Sequence, residues 1–231
     1  MRTEHEQACE RVASLFTARW LRHYVSSKLR SDPVFPAAFE LLKDSREPIL
    51  DVGCGVGLLA FYLRERGLDA PVIGVDTDGR KIRQGLAAAQ ERYRAVELIE
   101  QDARKQLPSF RGNVALLDVL HYLAPPDQAT LLDELASRVA PGGLLLLRDA
   151  PREQTARFWT TYAGEVFAQT ISWNIGAPLH FPTRESIDAA FRAEEFTREE
   201  RPAWGGTPFN NRLFVFRRQA PARRDGSTPG A

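Results

Sequence analysis

Apolar positions recur along this chain in two distinct rhythms. Between residues 7 and 30, Ala8, Val12, Leu15, Phe16, Trp20 and Tyr24 fall at three- and four-residue steps. Arg11, Arg19, Arg22 and Arg30 lie largely off that stripe. The spacing predicts one amphipathic helix packed on a domain; a basic helix lying on a membrane surface is the alternative. Residues 36–43 predict a second helix, with Pro36 in its first turn. From residue 48 the rhythm changes. Short continuous apolar runs at 48–52, 72–75, 96–99, 114–117 and 144–147 alternate with helical stretches at 58–66, 81–93 and 128–139. Gly67 and Pro141-Gly142-Gly143 act as stops. Runs that are apolar throughout, rather than alternating, are expected of strands covered on both faces.

After residue 150 the pattern changes again. A helix at about 183–192 precedes two apolar runs, 196–201 and 213–216, joined by a short loop. A parallel crossover needs about a dozen residues or more, so these last two strands should form an antiparallel hairpin. The predicted fold is α/β: a doubly wound, mostly parallel seven-stranded sheet with a terminal antiparallel hairpin, N-terminal helices and a helical cap. Residues 1–218 form one domain in this reading, with N-terminal helices at 1–45 and a cap insertion at 150–182. The tail from Gln219 has the composition of a disordered segment.

Charge and cysteine usage narrow the function classes. The 31 Lys and Arg residues nearly balance 30 Asp and Glu, for a net charge of +1, and a nucleic-acid binder usually carries a basic excess. Two cysteines, Cys9 and Cys54, are too few for a disulfide scaffold or a four-cysteine zinc site, so no metal is expected. The polar opening MRTEHEQACE does not read as a secretion leader. No apolar run approaches the ~20 residues of a membrane span. A cytoplasmic protein with no stable membrane insertion and no nucleic-acid partner is the expectation.

The most informative stretch is Ile49-Leu50-Asp51-Val52-Gly53-Cys54-Gly55-Val56-Gly57. It ends a strand and opens a helix, where glycines allow close backbone approach to a ligand and the helix start offers unpaired N–H groups. Nucleotide and dinucleotide folds share such turns. The dinucleotide fingerprint G-x-G-x-x-G would need its last glycine where this chain has Leu58. Asp76 ends the second strand, where an acid can accept from both hydroxyls of a ribose. Asp102 ends the third, within reach of an adenine edge. Each acid alone could be a helix cap or a solvated residue. Together they lie at the carboxyl ends of parallel strands, where ligands bind in open sheets.

With these residues in view, the sequence resembles the class I S-adenosylmethionine-dependent methyltransferases. The likeness rests on ILDVGCGVG at 49–57, VIGVD at 72–76, EQDA at 100–103, DVLHYL at 118–123 and APGGLLLLRD at 140–149. It implies S-adenosyl-L-methionine as cofactor. Asp51, Gly53, Gly55 and Gly57 would then shape the pocket for its methionine part. Asp76 would hold the ribose, with Thr77 beside it as a further cofactor contact, Asp102 and Ala103 would flank the adenine, and Asp118 would start the segment that closes on the methionine part. Cys54 is assigned no chemistry.

His121 and Tyr122 follow the fourth strand and should stand at the pocket mouth. His121 is the natural candidate for a base, with packing against the cofactor as the alternative. Arg148 ends the fifth strand; it would bind an anionic substrate group or form an ordinary salt bridge. The cap at 150–182 holds six aromatics in 33 residues, enough either to line an aromatic pocket or to build a small core of its own. Its Trp173 and His180, with Arg184 after it, are further candidates. Trp204 and Asn210 (or Asn211) sit in the loop after the sixth strand, read as substrate contacts or as a Gly-Pro turn. Tyr24 and Arg30 would touch the cofactor if the N-terminal helix packs over it. The resemblance implies a methyl transfer to a small-molecule oxygen or carbon acceptor, such as an aromatic or acyl compound of bacterial secondary or lipid metabolism. A non-catalytic S-adenosylmethionine-binding protein and a NAD-dependent oxidoreductase are the competing readings.

Overall fold

The structure, a computed structural model, describes residues 2–89, 92–153, 155, 157–161, 178–206 and 209–220. The single helix expected over 7–30 is two. The first, α1 (Glu4–Ser14), starts on a Thr3–Glu6 capping box, and α2 (Arg19–Ser31) follows. The break has a local cause. Phe16 turns into the core, and the Arg22 side chain donates 3.0 Å to the Phe16 carbonyl that the broken helix leaves open. It also resets the helical phase. Ala8, Cys9, Val12 and Ala13 of α1 and Leu21, Val25 and Leu29 of α2 are buried. Trp20 and Tyr24, which a continuous stripe would place in the core, are exposed. Helix α3 (Val34–Leu42) begins two residues before the predicted start.

The five apolar runs form parallel strands: β1 (Ile49–Val52), β2 (Val72–Asp76), β3 (Val96–Glu100), β4 (Asn113–Leu117) and β5 (Leu144–Asp149). Between them lie α4 (Leu58–Glu65), α5 (Gly79–Ala89), a short 3₁₀ turn at Leu120–Tyr122 and α6 (Pro125–Arg138). The chain ends with α7 (Arg184–Asp188), β6 (Phe196–Pro202) and β7 (Arg212–Arg218). Helix α7 is shorter than the predicted 183–192, because Phe191 N bonds back only three residues, to Asp188 O.

The sheet order is β3-β2-β1-β4-β5-β7-β6, with β7 antiparallel to both β5 and β6. The predicted doubly wound sheet and terminal hairpin are therefore present. One core lies under α1–α4, around Phe61, Tyr62, Leu29 and Leu42; the other lies under α6 and α7, around Leu135, Ile187 and Phe214. Each such side chain taken out of water contributes roughly 1.5–3 kcal/mol. Connections leave β1 toward one edge and β4 toward the other, and that reversal opens a crevice at the carboxyl ends of the strands. Among the described residues, no helix is long and apolar enough to cross a membrane.

Candidate active site

The turn after β1 is built by its hydrogen bonds. Gly53 N and Cys54 N donate to Val75 O at 2.8 and 3.1 Å, and Gly55 N donates to Asp76 Oδ2 at 2.8 Å. Gly53 and Gly55 hold φ of +76° and +58°, the left-handed region that disfavours side chains. The two glycines face different surroundings. A Cβ on Gly53 would stand 2.2 Å from Val119 Cγ2, whereas one on Gly55 would meet nothing within 4 Å. Gly53 thus lets the segment after β4 pack down, and Gly55 presents bare backbone to open space. Gly57 caps the start of α4.

That open space is a cavity of about 1070 Å³, at the upper end of the ~300–1,000 Å³ usual for small-molecule sites. Asp51, Gly53, Gly55, Asp76, Thr77, Asp102, Ala103 and Asp118 all line it, so the strand ends converge as the sequence predicted. Gly57 does not; it lies behind the turn, where a Cβ would stand 3.0 Å from Leu98. Asp76 accepts from Gly55 N through one oxygen and from Asp78 N at 2.8 Å through the other. Each oxygen keeps a further lone pair. Asp51 is buried, and that burial, with the nearby Asp76 charge, pushes its carboxyl up to about 7. Asp102 is gripped by Arg104, whose Nε and Nη2 donate at 2.9 and 2.7 Å, and these bonds hold its carboxyl below the usual range. Burial pushes the Cys54 thiol well up, out of reach of thiolate chemistry.

A buried ionic cluster forms the cavity wall between α2 and the sheet. Arg148 reaches Asp118 through Nε at 2.7 Å and through Nη2, and it reaches Asp32 through Nη1. Lys28 Nζ lies 2.8 Å from Asp32 and 3.5 Å from Asp118. Burial opposes the charge of Asp32, but Arg148 and Lys28 outweigh it and hold its carboxyl down to about 2. Burial opposes Arg148 as well, and Asp118 and Asp32 more than restore its charge. Asp118 takes φ +59°, unusual outside glycine, and donates its N–H to Arg148 O at 2.9 Å. Arg148 lines the cavity, but as the bridge of this cluster. An anionic substrate group would have to displace Asp118 or Asp32 to reach its guanidinium.

Other candidates are placed differently from the expectation. Tyr122 lines the cavity but His121 does not. His121 is buried, its Nδ1 2.9 Å from Asp149 Oδ1 and its ring stacked on Phe181 at 5.2 Å. The 3₁₀ turn rotates it inward, because its backbone N–H also donates to Asp149, at 3.2 Å. His180 touches this region through its backbone: its N–H donates to His121 O and its carbonyl accepts from Gln128 Nε2. It does not line the cavity. Asn210 is a buried clasp, its N–H donating to Thr161 Oγ1 and its amide to Glu153 and Pro151 O. Its neighbour Asn211 is the one at the cavity. Trp204 lines the cavity, with Arg157 and Arg212 at 4.9 and 4.6 Å from its ring. Arg184 pairs with Glu153 and Glu200, and Arg30 with Glu10, away from the site. Trp173 and most of the cap, 162–177, lie outside the described residues, as does the tail at 221–231.

The sequence reading missed Lys28 and Asp32 and assigned Trp20 to the core; all three line the cavity. The i,i+4 spacing of Lys28 and Asp32 was the available signal. Their long-range partners were not legible.

Residues 49–143 match the family model described as a methyltransferase domain. The trans-aconitate 2-methyltransferase of Azoarcus sp. (strain BH72) is 33% identical over 106 residues, 46% of this chain and 40% of that protein. A ubiquinone biosynthesis O-methyltransferase of Leptothrix cholodnii is 28% identical over 103 residues, 43% of this chain and 42% of that one. The matches thus span less than half the length of these curated relatives. Among solved structures, magnesium protoporphyrin IX methyltransferase from Synechocystis PCC 6803 with bound SAH shares the fold at a TM-score of 0.64 and 19% identity. That likeness covers 92% of this chain and 93% of the other.

Proposed function

We propose, from the match of residues 49–143 to a methyltransferase domain and from the shared fold, that the protein is an S-adenosylmethionine-dependent methyltransferase acting on an oxygen or carbon of a small molecule. One observation carries the reading. Gly55 turns bare backbone toward open space, and Asp51 and Asp76 line the same cavity. A cationic amino acid end suits Asp51, because a neighbouring positive charge would repay the cost of ionising that buried carboxyl. A ribose suits Asp76, whose remaining lone pairs can accept two hydroxyls.

When bound, the cofactor supplies a methyl group already activated on a sulfonium. The chain's residues then have mainly to hold two partners in line, and positioning alone can supply much of the acceleration. Asp51 and Asp76 fix one partner against the glycine turn. Asp118, set by Arg148, holds the segment after β4 that carries Tyr122 at the cavity wall. His121 is the orienting partner of Asp149 in this reading, not a base. The near-even charge supports a small acceptor over nucleic acid. The two free, buried cysteines are in keeping with a reducing cytoplasm.

The test is calorimetric titration with S-adenosylhomocysteine and with NAD, followed by a labelled-methyl assay. Binding of S-adenosylhomocysteine that is lost in Gly55→Arg supports the reading, since the new side chain fills the open space. NAD binding alone, or micromolar S-adenosylhomocysteine affinity (on the order of −8 kcal/mol) retained by Gly55→Arg, refutes it.

A further inference from the structure

Helix α2 turns Trp20, Tyr24, Lys28 and Asp32 to the cavity, at the four-residue steps of one helix face. Among the described residues, four cations line that cavity: Lys28, Lys81, Arg104 and Arg148. They stand at different ends of it. Arg104 follows β3 and grips Asp102, and Lys81 stands in the first turn of α5, after β2, beside Asp78. Lys28 and Arg148 stand on the β4 side, against Asp118. The next residue, Val119, is the side chain that packs down on Gly53, so this pair of cations borders the glycine turn. The two differ in reach. The Arg148 side chain is 2% exposed and bridges Asp32 and Asp118, whereas the Lys28 side chain is 33% exposed. The Lys28 ammonium has three N–H donors. Asp32 takes one at 2.8 Å. Asp118, at 3.5 Å, lies beyond ordinary hydrogen-bond length and is already held by Arg148. A donor of Lys28 is left for a ligand in the cavity. Burial opposes the charge of Lys28, but Asp118 and Asp32 outweigh it and hold the amine above its ordinary value.

Resting on the methyltransferase reading, we propose that Lys28 binds the carboxylate at the amino acid end of the cofactor. That end carries an ammonium and a carboxylate. Asp51, buried at the carboxyl end of β1, suits the ammonium and repels the carboxylate. A carboxylate taken out of water beside Asp51 needs a cation of its own. Strand β4 lies directly beside β1, with Ala115 opposite Asp51, which puts the Lys28 side of the crevice next to Asp51. Strand β2 lies on the other flank of β1. Asp76 and Asp102, the acids read as ribose and adenine contacts, stand on that flank with Lys81 and Arg104. Arg148 would have to give up Asp32 or Asp118 to serve, and Lys28 gives up neither. Lys28 lies outside residues 49–143, so the family match does not assign it. It comes from a helix whose opposite face, Leu21, Val25 and Leu29, is buried in the core, and Asp32, one turn on, fixes the place of its ammonium. A charge held on a packed helix is set more closely than one on a loop.

The test is calorimetric titration of the full chain with a pair of ligands. S-adenosylhomocysteine carries both the ammonium and the carboxylate. Its decarboxylated analogue, an aminopropyl thioether of deoxyadenosine, keeps the ammonium alone. The parent should prefer S-adenosylhomocysteine by about tenfold or more, the worth of a charge-assisted hydrogen bond. Lys28→Met should weaken S-adenosylhomocysteine binding by about tenfold or more and leave the analogue within about twofold of the parent, so that the preference vanishes. Lys28→Arg, which keeps a cation, should retain most of it. The methionine variant leaves Asp32 and Asp118 paired with Arg148 and should fold; circular dichroism checks that, and Lys28→Gln supplies the same measurement if the methionine variant melts early. A parent that binds the two ligands equally would overturn the inference. So would a Lys28→Met protein that loses both alike, as a merely loosened helix would, or a selective loss found in Lys81→Met instead. Failure of the parent protein to bind S-adenosylhomocysteine would overturn the methyltransferase reading itself, which keeps the two failures distinct.

Discussion

Ligand binding should be coupled to the ionisation of Asp51. The folded protein raises this carboxyl from its ordinary 3.8 to about 7, through burial first and the Asp76 charge second. A cationic ligand end binds the ionised form. With the titration centred near 7, that form makes up about a tenth of the free protein at pH 6 and about nine tenths at pH 8. The affinity for S-adenosylhomocysteine should therefore rise roughly tenfold between those values, and binding at pH 6 should release nearly one proton. Calorimetry in buffers of different ionisation enthalpy measures both. The same shift bears on stability with the opposite sense. A carboxyl whose folded value is raised binds its proton more tightly folded than unfolded. Free-protein stability should thus fall as pH rises from about 4 to about 7, by roughly 4 kcal/mol in all. Asp51→Asn removes that slope, and at pH 8 it should melt higher than the parent, by about 2–4 °C for each kcal/mol regained. It should also bind S-adenosylhomocysteine at least about tenfold more weakly, through loss of the charge-assisted contact. An affinity flat from pH 6 to 8 with no proton released would refute the role given to Asp51.

Four further outcomes follow from single residues. Gly53→Ala should lower the melting temperature, because the left-handed backbone alone costs on the order of 1–3 kcal/mol and the new Cβ strikes Val119; an unchanged melting curve would contradict this. Arg148→Met should cost about 3–5 kcal/mol in denaturant unfolding by leaving Asp32 and Asp118 without their guanidinium, and an equally stable variant would show that the cluster holds nothing. Separately, Asp32, held down to about 2, contributes about 2 kcal/mol that is present above pH 4 and lost as pH falls toward 2. His121→Ala should cost about 1–3 kcal/mol by stripping a buried partner from Asp149 while leaving S-adenosylhomocysteine affinity unchanged. A full-stability variant that no longer binds would put His121 back in the site.

The strands and the acids that line the cavity were legible because their causes are local. A strand covered on both faces favours apolar residues, and a backbone turning at φ +76° and +58° favours glycine. The acids at 51, 76 and 102 follow from chain position alone, since a parallel strand's carboxyl end is fixed once its direction is. The errors share a different cause. His121 was placed at the mouth because it directly follows β4, but the 3₁₀ turn at Leu120–Tyr122 rotates successive residues to different sides. Tyr122 thus reaches the cavity while His121 turns to Asp149. Asn210 and Asn211 divide in the same way. A neighbour's direction depends on one or two dihedrals that composition does not encode. For Arg148 the salt-bridge alternative is the one present, and its partner Asp32, 116 residues away, cannot be named from the sequence.

The two faces of α2 explain why a packing surface can be read from sequence while a cavity-lining surface resists it. The core face, Leu21, Val25 and Leu29, obeys hydrophobic periodicity, since any departure would place a polar group in apolar packing. The cavity face obeys no such rule. Its N-terminal half carries Trp20 and Tyr24, 55% and 37% exposed, and on periodicity those rings read as core residues. Periodicity records only how often apolar residues recur, not which of two apolar arcs is buried; it misplaces Trp20, whereas the separate expectation of Tyr24 at the pocket agrees with its place in the cavity wall. What separates the arcs is the break at Leu15–Ala18, which shifts the helical phase between α1 and α2. A face that lines a cavity differs from one that must only pack by keeping large apolar rings partly exposed. Surface of that kind becomes visible only when the rest of the fold is in place around it.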